Sequence, residues 1–112
     1  MTETERAALR AMREALTVLA LPPSQQVAWA GAGCAACELM LDFYAALKEC
    51  LDKVILELSF DREQALGRLA AAVDALDETD TECFCPEVLD RPGWRQVRQR
   101  AAEALEEFGW TT

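Results

Sequence analysis

The sequence predicts a compact all-α bundle, and three observations lead there. Apolar residues recur at spacings of three and four through each long segment. No segment sustains the period-two alternation of a half-buried strand. Pro22–Pro23, Gly31–Gly33, Pro86, Pro92 and Gly109 fall where the periodic runs stop or start. Four main helices plus short helical segments account for the 112 residues as a single helical domain, 1–112.

The first helix is expected from Glu3 to Ala20. Thr2 and Glu5 have the spacing of a capping box, and Leu9, Met12, Leu16 and Leu19 form one apolar stripe. Pro22 and Pro23 end it, because proline lacks the amide donor and clashes with the preceding turn. Ser24 caps a second start, a short helix Ser24–Ala30 carrying Val27 and Trp29. Gly31–Gly33 reads as a turn, since each glycine costs about 1 kcal/mol inside a helix; one helix running through the glycines is the alternative.

The longest helix is expected from Cys34 to Leu58. Its stripe is Cys37, Met40, Phe43, Leu47, Cys50, Val54 and Leu58, widened by Tyr44, Leu51 and Ile55. Asp61 and Gln64 then suggest a second capping box with Phe60 as its hydrophobic staple. That helix, from Arg62 to Leu76, carries Leu66, Leu69, Val73 and Leu76. Residues 77–85 read as a loop, and Pro86 opens one short turn ending near Asp90. Pro92 opens the last helix, with Asp90 or Arg91 at its cap and Trp94, Val97, Ala101, Leu105 and Phe108 as its stripe. Gly109 suits a left-handed cap that folds Trp110 back onto Leu105.

Charge narrows the function. The net charge is −9, and such a surface repels nucleic-acid phosphate and anionic lipid, so no nucleic-acid or membrane partner is expected. Arg91, Arg95 and Arg98 share a face of the last helix, but Glu87, Glu103, Glu106 and Glu107 are near enough to pair with them. No apolar run reaches the roughly 18 residues of a membrane span, and the charged N-terminus is unlike a secretory signal. A cytoplasmic location is expected, where the five cysteines are free thiols.

Across most of the chain, LPPSQQVAW (21–29), CELMLDF (37–43), FDREQALGRLAAAVDAL (60–76) and PEVLDRPGWRQVRQRAAEAL (86–105) are similar to a loose set of small acidic all-helical bacterial proteins. Some of that set look like immunity or antitoxin partners, so the resemblance implies a protein-binding module. It does not require Cys34, Cys37, Cys83 or Cys85.

Those four cysteines, Cys34-x-x-Cys37 and Cys83-x-Cys85, stand in a chain with no histidine. Two thiol pairs separated by a long insertion is a spacing used by structural zinc sites. Against it, Phe84 reads as core-seeking, which in an extended segment turns both flanking thiols away from the core. Cys50 lies on the apolar stripe about 20 Å along the helix from the first pair, at about 1.5 Å per residue, so it belongs to the core. The cysteines therefore read first as small apolar contacts needing no cofactor, with a four-thiolate zinc or copper site as the alternative.

Catalysis is not expected. Cysteine–histidine chemistry is excluded within this chain, and no phosphate loop, dinucleotide fingerprint or nucleophile elbow is present. Glu38 and Asp42 lie four apart without the histidine partners of a di-metal bundle, and ETDTE (78–82) lacks the later ligands of a calcium loop. What stands out is an acidic segment without lysine or arginine until Arg91: Asp74, Asp77, Glu78, Asp80, Glu82, Glu87 and Asp90. With Phe84 and Trp94 as apolar anchors, it suits a basic protein partner such as a nucleic-acid-binding toxin. The sequence reading is thus an acidic protein-binding module, with homo-oligomers as a further form.

Overall fold

A computed structural model describes residues 1–111. The chain forms five α-helices: α1 (Glu3–Leu19), α2 (Pro23–Ala30), α3 (Ala35–Lys53), α4 (Phe60–Asp74) and α5 (Pro92–Glu107). Two 3₁₀ turns, Ile55–Glu57 and Pro86–Asp90, complete it, and no strand occurs among the described residues. The all-α bundle is therefore the observed fold, with four long helices and the short α2.

Packing follows the apolar stripes. α1 lies against both α3 and α5, and α4 lies against α5, so α1 and α5 form the middle of the bundle and α3 and α4 its flanks. α2 and the 3₁₀ turn Pro86–Asp90 close one end against α3. Met12, Leu16 and Leu19 of α1 meet Leu39 and Phe43 of α3 and Val97 and Ala101 of α5 in one core. Cys50 is wholly buried in it, as its place on the stripe implied.

The caps explain most of the boundaries. The Thr2 hydroxyl accepts the Glu5 N–H at 3.1 Å while the Glu5 carboxylate accepts the Thr2 N–H at 2.9 Å, a complete capping box. At the other end Gly109 adopts φ +72°, the Trp110 N–H donates to Leu105 O at 2.8 Å and the Gly109 N–H to Glu106 O at 3.0 Å. That is the Schellman pattern. The Trp110 ring stacks on Phe108 at 4.3 Å between centroids.

Three expectations about the elements need correction. The long helix stops at Lys53, not Leu58, because Val54 leaves helical geometry at φ −130° and ψ 4° and a 3₁₀ turn follows. Its buried line is Ala36, Leu39, Phe43, Ala46 and Cys50, rotated from the expected stripe, so Met40 and Leu47 are half-buried and Leu51 is exposed. α4 starts at Phe60 with Ser59 as its cap, whose hydroxyl accepts the Arg62 N–H at 3.3 Å. Asp61 is thus already helical, and Phe60, 72 % exposed, staples nothing.

Candidate metal centre

Two chain reversals build the site. Gly31, at φ +62°, ends α2 in a conformation that costs a glycine little, and the chain turns through 82° into α3. This places Cys34 at the N-cap of α3 and Cys37 one turn further on. The second reversal is the segment after α4, organised by Asp80. The Asp80 carboxylate accepts the Asp77 N–H at 3.0 Å and the Arg91 Nε–H at 2.6 Å, while its own N–H donates to the Asp77 carboxylate at 2.9 Å. The Asp80 carbonyl accepts the Trp94 indole N–H at 2.8 Å. This knot fixes the start of the 81–85 loop against α5, and Phe84 then takes φ 60°, a left-handed conformation unusual for an aromatic residue.

The left-handed residue decides which thiols meet. Phe84 points to solvent, 78 % exposed, rather than into the core, and Cys83 and Cys85 diverge around it. Cys83 Sγ comes to 3.5 Å from Cys37 Sγ, and the sulfurs of Cys34, Cys37 and Cys83 all lie within 4.8 Å of one another. Cys85 does not join them: its thiol donates to Glu87 Oε2 at 3.1 Å. The four-cysteine set read from the sequence is therefore a set of three in this structure. Cys83 does converge with the Cys34–Cys37 pair, which an extended loop with a core-facing Phe84 would have prevented.

The dimensions suit a metal. Sulfurs bound at about 2.3 Å around a tetrahedral ion stand about 3.8 Å apart, so these three need sub-ångström to ångström adjustments to share one. The electrostatics are asymmetric. Burial pushes the Cys34 thiol up, but the N–H of Cys37, the Cys37 and Cys83 thiols and the N–H of Phe84 outweigh it, and its pKa falls below the ordinary thiol value. Cys37 is pushed up to about 12 by the hydrogen bonds it makes to Cys34 and Cys83, then by burial. The ionised form is thus favoured at Cys34 and opposed at Cys37, and a bound cation would replace the protons the thiols share. A pocket of about 210 Å³ adjoins the cluster, lined in part by Val27, Gly33, Cys34, Glu82, Cys85 and Leu89.

The acidic segment is less uniform than its composition. Asp77, Glu78, Glu82, Glu87 and Asp90 are exposed, and Asp74, also exposed, accepts the Tyr44 hydroxyl. Asp80 is 7 % exposed and Trp94 0 %, so neither is available to a partner. Their residue types are spent inside the fold, on the knot just described. The arginine face of α5 also pairs differently than expected: Arg91 bonds Asp80, Arg98 donates to Leu89 O at 2.7 Å, and Arg100 pairs with Glu103 at 2.8 Å. On α3, burial and then the charges of Glu14 and Glu38 raise the Asp42 carboxyl. One residue escaped the sequence reading altogether. Gln26 is fully buried, and its amide donates to Val18 O at 3.2 Å and Leu19 O at 3.0 Å, tying α2 to the end of α1. Nothing in the surrounding pattern distinguishes it from exposed Gln25.

Fold and site together define an all-α bundle with a surface-accessible trithiol cluster joining a helix N-terminus to a loop. No protein-family model matches the chain, and no curated protein or solved structure matches it.

Proposed function

We propose that this protein binds a thiophilic metal ion through Cys34, Cys37 and Cys83. The convergence of three sulfurs from two distant segments within 4.8 Å carries this reading. Small apolar filler has no reason to gather thiols at a half-exposed surface, where Cys83 is exposed and Cys34 and Cys37 are only half-buried. Thiolates favour Cu(I), Zn(II) and iron–sulfur chemistry over hard cations. Protein purified without chelator and under reducing conditions is expected to carry one equivalent of zinc or copper, measured by elemental mass spectrometry. Changing Cys34 and Cys83 together to serine should remove it without loss of helical circular dichroism. A wild-type content well below one equivalent, unchanged by added metal, would sink the proposal.

A second reading is favoured by Phe84, an aromatic ring displayed to solvent between Glu82 and Glu87. We propose that this exposed part of the acidic segment meets a basic protein, the charges steering encounter and the ring supplying an apolar anchor. Reversing Asp77 and Glu78 to lysine, with Asp80 left intact, should slow association with such a partner at least tenfold at low salt. An unchanged association rate would reduce the segment to a solvated loop.

A further inference from the structure

Resting on the thiolate reading, we infer that the site is built for a three-coordinate soft ion, Cu(I), rather than for four-coordinate zinc. Three observations point this way. First, no carboxylate and no further thiol among the described residues lies within the same 4.8 Å group, and the chain has no histidine to add. A structural zinc ion closes its tetrahedron with four protein ligands, whereas here the protein supplies three. Second, the obvious fourth thiol is already engaged. Cys85 donates to Glu87 at 3.1 Å, and the left-handed turn at Phe84 sends it away from Cys83. Recruiting it would break that hydrogen bond. Third, the cluster sits where anionic sulfur is supported. Cys34 is the N-cap of α3, and the positive end of that helix offsets the negative charge that three thiolates leave around a monovalent ion.

Each thiol gives up its proton to solvent as the ion binds, and the ion keeps its oxidation state. Cys83 faces solvent, so the ion enters and leaves from that side without opening the bundle. Thiolate softness admits both Cu(I) and zinc, and the count of three protein donors is what favours Cu(I).

The test loads the reduced, metal-free full chain with Cu(I) or with Zn(II) under anaerobic conditions and compares affinities by chelator competition. Sulfur coordination is counted by X-ray absorption. The expected result is one Cu(I) held by three sulfurs, retained in Cys85→Ser within about twofold and lost in Cys83→Ser. Because Cys83 is exposed, that variant should keep its helical circular dichroism; Cys37→Ser provides a second check. Zinc bound by four sulfurs, with affinity falling at least tenfold in Cys85→Ser, would overturn the inference and leave the thiolate reading standing. Failure of the folded wild-type chain to bind either ion would overturn both.

Discussion

At the scale of single residues, Asp80 bears more structure than its neighbours in an acidic run. It closes the turn at Asp77, pairs with Arg91 and offers its carbonyl to the buried Trp94 indole. Asp80→Asn keeps the shape but removes the charge, and should cost about 1–3 kcal/mol, the range for disrupting a buried charged hydrogen-bond network. The native carboxyl is held below its ordinary value, first by the Asp77 N–H, against burial, and then by Arg91. Its contribution is therefore complete above the unfolded aspartate pKa of about 3.9 and is lost as pH falls through the lower folded value. Urea denaturation from pH 7 to pH 2 should show a gap between wild type and variant that narrows at the acid end; a constant gap would refute the charge-based account. This role was illegible in the sequence because an aspartate among aspartates carries no local mark of its partners, which lie 11 and 14 residues downstream. The trithiol cluster was half legible. The spacing of Cys34, Cys37 and Cys83 raised it, but the backbone sign at Phe84, which separates Cys83 from Cys85, is a tertiary outcome that residue type argues against.

Elements were legible to the degree that local chemistry fixes them. The Thr2 box, the Pro22–Pro23 stop, the Gly31 turn and the Gly109 cap each act within a few residues, and each boundary falls within a residue or two of its expected place. The end of α3 was not legible, since Val54, Ile55 and Leu58 continue the apolar spacing after the helix has tightened into a 3₁₀ turn. Nor was the rotation of its buried line: an alanine-rich helix offers two plausible stripes, and the closeness of α1 selects the one with Ala36 and Ala46. Gly93 shows the same dependence on context. A Cβ there would stand 2.9 Å from Leu76 Cδ2 and 3.1 Å from Asp80 Oδ2, so the glycine lets α5 begin directly against the Asp80 knot. Within the sequence it is only a glycine in a first turn, a position where helix propensity disfavours it.

For the whole molecule, the order α3–α1–α5–α4 puts α3 and α4 on opposite flanks, and the chain between α4 and α5 reaches over one end of the bundle to α2 and α3 before α5 begins. That return is where the thiols meet. The Cys37–Cys83 contact spans 46 residues, enclosing most of α3 and all of α4. An ion shared across it is a cross-link, and closing a loop of that length removes about 4 kcal/mol of unfolded-chain entropy in the simplest polymer treatment. The loop carrying Phe84 would then be clamped when the ion is present and held by the Asp80 knot alone when it is gone. Limited chymotrypsin digestion should cut at Phe84 readily in metal-free protein and slowly in loaded protein; equal rates would show that the ion exerts no such hold. Under the proposed metal binding, the same contact would make metal supply a determinant of lifetime. A chain starved of that ion would offer proteases a marked bond at an exposed aromatic residue, and the supply of soft metal would be read out as how long each copy survives.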